Sequence, residues 1–272
     1  MFRRVSVILL LSVVVFFSSC RFQKLLKSSD YDEKYAMALE FYNHQDYNRA
    51  LQLMDQIVPI YKGTDKAQEL EYMYAMSYFM QSDFILASYY FKRYYKSYPK
   101  SEKAEEALYY SAYCNYMGSP RSSLDQETTK AAIQEMKLFM ARFPDSKQYK
   151  NAKAIVDELE KKLEEKEYNI AKQYYKMDDY NAAITAFKSY LKNYPKSAFR
   201  EDVMFYIMKS YHDFAMLSFS AKQEKRFTKT IGAYVDFVAL YPESKYRTEA
   251  DKINASASRY LGRNIEKEEE IN

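Results

Sequence analysis

The sequence predicts an all-α fold, a solenoid of about five stacked helix pairs. An aromatic–proline–polar–serine phrase occurs four times, and its prolines Pro99, Pro144, Pro195 and Pro242 lie 45, 51 and 47 residues apart. The 272 residues include only 4 Gly and 6 Pro, which is too few for the turns of an all-β fold. A phrase that recurs at this period is typical of stacked helical units, which present surfaces for partners.

The first residues of the chain predict an export signal. Arg3 and Arg4 supply positive charge, and residues 5–17 form an apolar run that only Ser12 interrupts. As a helix this run spans about 20 Å, whereas the hydrocarbon core of a bilayer is roughly 30 Å thick. We therefore predict a secretory signal and not a membrane span.

Small residues before Cys20 resemble a bacterial lipobox, the site where a diacylglyceryl group joins the thiol before cleavage. Phe17 departs from the Leu that is usual three residues before that cysteine. We expect residues 1–19 to be a lipoprotein signal peptide and residues 20–30 a lipidated linker. Diacylglycerol and an N-acyl chain on Cys20 are then the only attached groups, and no cofactor is expected. The alternative is an ordinary signal peptide that happens to contain a cysteine.

Cys114 is the only other cysteine of the chain. With Cys20 lipidated it has no partner for an intramolecular disulfide, so an exported protein of this kind depends on its core for stability. Cys114 follows a run of Tyr, Ser and Ala at residues 109–113. We interpret it as a small buried hydrophobic residue, with a reactive thiol as the alternative.

The repeated unit predicts two antiparallel helices that cross closely. A small residue lies twelve positions before the proline at Ala87, Ala132 and Ala183, and small residues permit close helix approach. The proline ends the second helix, and we expect the following serine to be the N-cap of the next one. A bulky apolar residue lies four positions after each small residue of a second helix, at Met54, Phe91, Met136 and Phe187.

Pairs of Asp and an aromatic residue predict where second helices begin. They occur at Asp46-Tyr47, Asp83-Phe84 and Asp179-Tyr180, and an Asp side chain can accept a hydrogen bond from the first helical turn. Residues 118–128 and roughly 217–226 predict loops within the third and fifth helix pairs.

These spacings resemble the tetratricopeptide repeat, which implies a right-handed superhelical solenoid. Ala38, Ala75 and Ala171 lie twelve positions before Ala50, Ala87 and Ala183, where that family has a small residue in the first helix. Five repeats begin near residues 31, 67, 103, 148 and 199. Lys62 replaces the proline of the first repeat, and Thr230 replaces the small residue of the fifth. An irregular helical bundle is the alternative.

The spacing of the repeats also predicts how the chain is divided. No Gly or Pro occurs between Ser146 and Asp178, so residues 147–177 can form one long or gently broken helix of about 45 Å. We therefore predict repeats one to three at 31–146, the long helix with repeats four and five at 147–262, and an acidic tail at 263–272.

In the tetratricopeptide family the first helices line the inner wall of the solenoid. The matching positions here are rich in Tyr, Phe and Met, which provide large and adaptable contact surfaces. Packing between helices is the alternative role for these side chains. Tyr35 and Leu39 occupy the places of the family's carboxylate clamp, so binding of a chaperone tail is not expected. The candidate peptide-binding residues are Tyr35, Tyr42, Tyr72, Met76, Phe79, Tyr110 and Tyr113.

The lipobox and the repeats together resemble the BamD (YfiO-like) family of outer-membrane β-barrel assembly lipoproteins. The resemblance is carried by Tyr35-Ala36-Met37-Ala38, Asp46-Tyr47-Asn48-Arg49-Ala50, Glu167-Tyr168-Asn169-Ile170-Ala171 and Tyr194-Pro195-Lys196-Ser197. It implies a non-catalytic scaffold whose N-terminal repeats receive the aromatic-ended signal of unfolded outer-membrane proteins. The later repeats would dock periplasmic domains of the barrel-forming, BamA-like subunit, with Arg200, Glu201 and Asp202 as candidate docking residues.

The residues after Cys20 predict the destination of the chain. Arg21 to Lys24 include neither the Asp that retains enterobacterial lipoproteins at the inner membrane nor the acidic run of some surface lipoproteins. We therefore expect a lipid anchor in the outer membrane, with the chain on the periplasmic face.

The sequence contains no recognisable catalytic or metal-binding motif. Its two histidines, His44 and His212, lie at the predicted ends of first helices, where surface or capping roles are expected. The formal charge of +4, from 41 basic and 37 acidic residues, gives no electrostatic reason to expect nucleic acid. The alternative function is a periplasmic repeat lipoprotein that serves another envelope or cell-division complex.

Overall fold

The computed structural model describes residues 21–271, with side chains through Gly262, and every element in this range is α-helical. The predicted signal peptide and Cys20 lie outside the described residues. The helices are α1 (21–27), α2 (Tyr31–Asn43), α3 (Tyr47–Tyr61), α4 (Asp65–Met80), α5 (Phe84–Ser97), α6 (Ala104–Met117), α7 (Glu127–Arg142), α8 (Tyr149–Lys176), α9 (Tyr180–Asn193), α10 (Arg200–Met216), α11 (Ser220–Leu240) and α12 (Arg247–Ile271).

Helices α2 to α11 form the five predicted pairs, so the all-α repeat fold is confirmed. The chain divides into two compact units, Met1–Leu159 and Glu160–Asn272, and the division falls within α8. That helix runs for 28 residues without a break, as the absence of Gly and Pro predicted. The handedness of the solenoid stays a prediction.

The small residues at the helix crossings are fully buried, as predicted. A larger side chain at these places would separate the two helices of a pair, because the interior is close-packed. The bulky residues one turn later are also fully buried and fill the neighbouring grooves. The small residues are Ala38, Ala50, Ala75, Ala87, Ala132, Ala171, Ala183 and Thr230, and the bulky ones are Met54, Phe91, Met136 and Phe187.

The Asp residues before α3, α5 and α9 are N-caps, as predicted. The carboxylate of Asp83 accepts a hydrogen bond from the backbone N–H of Leu86 at 3.2 Å, and Asp46 and Asp179 make the equivalent bond. The residue before each cap is left-handed, with φ of 61° at Gln45, 62° at Ser82 and 60° at Asp178. These side chains accept a conformation that usually favours glycine, so each tight turn carries some backbone strain.

The phrase at Tyr98 to Ser101 ends one helix and turns the chain toward the next. Its proline stops α5 at Ser97, and the Ser101 N–H donates to the Tyr98 carbonyl at 3.1 Å. The expectation that Ser101 is the N-cap of α6 was wrong, because that helix begins three residues later at Ala104. Instead, the Ser101 hydroxyl accepts from the Lys103 N–H at 3.1 Å and is 2.7 Å from the Tyr94 hydroxyl. The phrase at Ser197 repeats these contacts with Phe199 and Tyr190.

Three terminal or connecting segments differ from the sequence predictions. The linker at 20–30 contains α1, whose Phe22 and Leu25 are buried, with the Phe22 ring edge-on to Phe41 at 5.5 Å. The loop predicted at 217–226 is mostly helix, because α11 begins at Ser220. The tail predicted at 263–272 continues α12 to Ile271. The predicted loop at 118–128 is confirmed, since α6 ends at Met117 and α7 begins at Glu127.

Candidate functional site

The first helices of unit 1 line a groove, here called the inner groove, with a cavity of about 710 Å³. Helices α2 and α4 form most of its wall, and Tyr94 and Tyr98 at the end of α5 and Lys103 before α6 complete it. This is the wall on which the repeat spacing placed candidate binding residues, and Tyr42 and Tyr72 are among them. The lining residues are Leu39, Tyr42, Asn43, Thr64, Asp65, Gln68, Glu69, Tyr72, Met73, Tyr94, Tyr98 and Lys103.

Two predicted binding residues, Tyr35 and Tyr72, belong mainly to the core. Tyr35 is 9% exposed, and its hydroxyl donates to the Glu69 carboxylate at 3.1 Å. Tyr72 is 7% exposed and packs edge-on against Tyr94 at 5.5 Å. The expectation that a peptide would contact these two rings directly is therefore corrected, because packing between helices already covers them.

The Tyr72 hydroxyl is an unusual feature of the groove floor. It is buried and makes no hydrogen bond to any residue that the structure describes. Burial, together with the nearby Glu106 carboxylate, raises the pKa of Tyr72 above its ordinary value. A buried hydroxyl without a partner is costly, so the groove floor carries unused hydrogen-bonding capacity.

The other five predicted residues are half-buried and form what we call the aromatic ledge, Tyr42, Met76, Phe79, Tyr110 and Tyr113. The Phe79 ring lies 4.9 Å from Tyr110 and 6.2 Å from Tyr113. Burial is the main cause that raises the pKa of Tyr42 to about 12, so its phenol stays neutral. Half-buried rings held by their neighbours offer contact area at low entropic cost, which suits an apolar peptide side chain.

The predicted repeat register placed Tyr110 and Tyr113 of α6 at the positions of Met76 and Phe79 of α4, and it was wrong by three residues. The burial pattern of α4 recurs on α6 after 37 residues, with Ala112 equivalent to Ala75 and Tyr109 equivalent to Tyr72. Tyr109 packs on Phe139 at 5.3 Å, as Tyr72 packs on Tyr94. Tyr109 is the core aromatic that sequence reasoning missed, although the 37-residue step from Ala38 to Ala75 was a usable signal.

Charged groups mark one end of the inner groove. The Lys103 ammonium lies 2.8 Å from the Glu106 carboxylate and 5.1 Å from the Tyr72 ring centroid. The hydrogen bond to Glu106 raises the pKa of Lys103, so the cation persists at neutral pH. Lys103 is thus a positive charge beside the Tyr72 ring. Its ammonium has three donors, so it can pair with a carboxylate of a bound segment while it keeps its contact with Glu106.

The predicted docking residues of unit 2 already have partners within their own unit. The Glu201 carboxylate accepts from the Ser244 hydroxyl, and Asp202 accepts from the Lys245 ammonium at 2.9 Å. Asp202 also accepts from the Tyr168 hydroxyl at 3.3 Å. The Arg200 guanidinium lies 3.5 Å from the Pro195 carbonyl in the preceding turn. Of the three, Arg200 has the side chain most available to a partner.

The two histidines have different environments. His44 is the C-cap of α2, as expected. His212 lies inside α10 and not at its end, with ring nitrogens 3.0 Å from an Asp213 oxygen and 3.1 Å from the Ser256 hydroxyl. Although burial opposes it, hydrogen bonds from His212 and Tyr175 lower the pKa of Asp213. Each member of this group has a neighbour within unit 2, which indicates a structural network.

Cys114 is fully enclosed by its neighbours. It is 1% exposed, and burial raises the pKa of its thiol to about 12. The thiolate is the reactive form of cysteine, so the interpretation as a buried hydrophobic residue is confirmed. Among the residues with described side chains, no group of three or more His, Cys, Asp or Glu could hold a metal ion.

Comparisons with known proteins match the chain to a family of outer-membrane lipoproteins. A family model described as "YfiO: Outer membrane lipoprotein" matches residues 27–227. A curated relative, outer membrane protein assembly factor BamD of Caulobacter vibrioides, is 24% identical over 175 residues, which cover 61% of this chain and 56% of the relative. The chain therefore matches little more than half the length of that relative. Within the described part of the chain, no helix combines the length and apolarity needed to cross a bilayer.

Two solved structures of tetratricopeptide domains are also similar. The P58(IPK) TPR domain has 16% identity, covers 89% of this chain and 68% of its own, and gives a TM-score of 0.40. The complex of the yeast Sti1 TPR2AB domain with pHSP90 has 13% identity, covers 85% and 99%, and gives 0.37. Both TM-scores are under 0.5.

Proposed function

The chain belongs to the YfiO family of outer-membrane lipoproteins, and on that premise we propose that it is a non-catalytic scaffold in outer-membrane protein assembly. The observation that carries the proposal is the inner groove, which residues of α2, α4 and α5 line together with Lys103, and the aromatic ledge on α2, α4 and α6, with Tyr42 common to both. A groove that combines aromatic rings with a few charged groups suits an extended segment of another protein. The relative named as an outer membrane protein assembly factor supports the same direction.

The proposed ligand of the inner groove is the aromatic-ended signal of an unfolded outer-membrane protein. Phe79 and Tyr113 on the ledge accept its aromatic side chain, and Tyr42 borders the same surface. Lys103 stands beside the groove as a partner for a carboxylate at the end of the segment.

Unit 2 is the proposed docking surface for periplasmic domains of the barrel-forming, BamA-like subunit. Arg200 begins α10 and has the freest side chain among the predicted docking residues. Glu201 and Asp202 support this surface indirectly, because they hold the turn at Ser244 and Lys245. Lipid on Cys20 would anchor the chain in the outer membrane on the periplasmic side.

Peptide binding tests the aromatic ledge directly. We expect the double variant Phe79→Ala/Tyr113→Ala to weaken binding of a peptide that ends in an aromatic residue by roughly tenfold or more, as buried aromatic contacts usually do. Fluorescence anisotropy with a labelled peptide measures the dissociation constant. The matched control is Ile85→Ala/Tyr89→Ala on α5, where the two residues are 85% and 59% exposed and do not belong to the ledge. Equal affinities for the two double variants would exclude the ledge as the binding surface.

Recovery of partners from cells tests the assembly role as a whole. Cross-linking in intact cells followed by capture of the chain should recover the barrel-forming subunit, and Arg200→Glu should reduce that recovery. Recovery of peptidoglycan or cell-division proteins in its place would favour the alternative envelope complex.

Globomycin treatment with palmitate labelling tests the anchor, and an unlabelled wild-type chain would contradict lipidation at Cys20.

A further inference from the structure

Repeat five departs from the tight turn that joins the two helices in most repeats. In repeats one, two and four a left-handed residue and a capping Asp connect the helices. In repeat five α10 continues to Met216 and α11 begins at Ser220. The position equivalent to the capping Asp is Arg226, which lies inside α11. Helix α11 therefore begins about two turns earlier than the second helices of repeats one, two and four.

The end of this extension is apolar and exposed. We call Met216, Leu217 and Phe219 the α10–α11 tip. Their side chains are 55%, 73% and 86% exposed. Single exposed apolar residues are ordinary on a protein surface, but adjacent large ones that project from a turn mark an interaction site.

The tip is held in place from below. The Arg226 guanidinium lies 3.5 Å from the centroid of the Phe214 ring and donates to the Ser218 hydroxyl. Ser218 in turn donates to the Phe214 carbonyl. Ala215 and Phe227 are buried beneath the extension. The apolar side chains are thus presented on a fixed turn, which lowers the entropic cost of binding.

The helix behind the tip is basic. Residues 216–229 contain four basic residues and one acid, Glu224, which gives a net charge of +3. Lys222, Lys225 and Lys229 are exposed. Lys222 and Lys225 follow Phe219 by three and six residues, which is roughly 4.5 and 9 Å along the helix axis. Positive charge therefore lies within about 10 Å of the apolar tip, a distance comparable to the depth of a lipid headgroup layer.

We propose that the α10–α11 tip binds an anionic lipid bilayer. Leu217 and Phe219 enter the boundary between headgroups and acyl chains, and the lysines of α11 pair with lipid phosphates. Apolar insertion and attraction to anionic headgroups are the two contributions that hold interfacial segments at membranes. A bilayer fits a projecting apolar turn with a positive rim, and this contact is separate from the protein-binding surfaces proposed above.

Vesicle binding of the unlipidated mature chain, residues 20–272 with Cys20→Ser, tests the proposal. We expect it to sediment with vesicles of phosphatidylethanolamine and phosphatidylglycerol, and less with phosphatidylcholine vesicles. Leu217→Ser/Phe219→Ser should lower the partition coefficient roughly tenfold, and Lys222→Glu/Lys225→Glu should lower it and weaken its dependence on salt. The matched control Ile85→Ser/Tyr89→Ser, in which equally exposed apolar residues of α5 are replaced, should bind like the parent chain.

A fluorescent reporter tests insertion at the tip itself. The chain contains no Trp, so Phe219→Trp introduces a single tryptophan, and its emission should shift to the blue on anionic vesicles, whereas Ile85→Trp should not respond. The proposal is overturned if the parent chain does not bind anionic vesicles, if the tip variant binds equally, or if the Phe219→Trp emission does not move. One further result would also overturn the proposal. If the parent chain does not bind vesicles but captures a protein that the tip variant does not capture, the tip binds a protein partner.

Discussion

The aromatic ledge of unit 1 and the α10–α11 tip of unit 2 expose apolar side chains in opposite ways. On the ledge, Phe79 and its neighbours are half-buried on first helices, where a regular repeat places them. At the tip, Phe219 and Leu217 are largely exposed on a turn where the repeat is extended. Regular repeats can therefore form a concave surface that binds a segment of another molecule. An irregular repeat can instead present projecting side chains that insert into a partner.

The largest expected change in the free energy of unfolding is at Tyr72. This residue tests the comparison because it is assigned to the core and not to the aromatic ledge. Tyr72→Ala should lower the free energy of unfolding by about 3–5 kcal/mol, since it removes a buried aromatic ring. Tyr72→Phe removes only the unpaired hydroxyl and should be neutral or stabilising by about 1 kcal/mol. Denaturant unfolding followed by circular dichroism measures both. A small loss in Tyr72→Ala would mean that this ring belongs to the accessible ledge.

The second prediction tests whether repeat five packs like the regular repeats despite its extended turn. Thr230→Leu and Ala87→Leu should each cost roughly 1–3 kcal/mol, because both positions are fully buried at a helix crossing and have no room for added atoms. Thr228→Leu, at an exposed position two residues away, is the control and should change little. If Thr230→Leu were tolerated like its control, the helices of repeat five would not cross as closely as α4 and α5.

A smaller effect is expected at the capped turns that repeat five lacks. Asp83→Ala should lower stability by about 1 kcal/mol, because the N–H of Leu86 loses its acceptor. Glu224→Ala in the uncapped turn of α11 should have less effect, since its carboxylate makes no N-cap bond among the described contacts. Thermal unfolding of the two variants under the same conditions gives the comparison. Equal losses would show that the cap at Asp83 contributes little.

The smallest effect on stability is expected at the tip. Leu217→Ser/Phe219→Ser should change the free energy of unfolding by no more than about 0.5 kcal/mol, because exposed side chains contribute little to the folded state. Calorimetry of the double variant beside the parent chain measures this change. A loss of several kcal/mol would show that the tip is part of the core of unit 2, and the contrast with the ledge would disappear.

The sequence predicted the features that recur. Asp83, Ala87 and Pro99 of the second repeat have equivalents at the same spacing in the fourth, at Asp179, Ala183 and Pro195. A residue that recurs at constant spacing with one structural role can be recognised from the sequence alone. The same reasoning located the wall that carries the inner groove. It could not separate Tyr72 from Met76, since both lie on one helix face and only packing against Tyr94 shows which is covered.

The missed features are those in which neighbouring residues compete for one role. Tyr109 and Tyr110 are adjacent aromatics, so the sequence did not show which of them takes the place of Tyr72 in the third repeat. The segment at 217–226 has no capping Asp, and its sequence predicted a loop. In the structure it is mostly helix, and Arg226 donates a hydrogen bond to Ser218. The left-handed turn at Ser82 was missed because Ser there gives no signal comparable to glycine.

Helix α1 has a consequence for the motion of the chain at a membrane. An unstructured linker over residues 20–30 would extend to roughly 36 Å and would let the first repeat take many orientations relative to the bilayer. Because Phe22 and Leu25 pack into the core of unit 1, a lipid on Cys20 would be followed at once by a docked helix. The flexible connection between the lipid and the folded chain is then only about one residue long, roughly 3.6 Å. Such a short tether would restrict the tilt of the first repeat and make its orientation at the bilayer part of the fold.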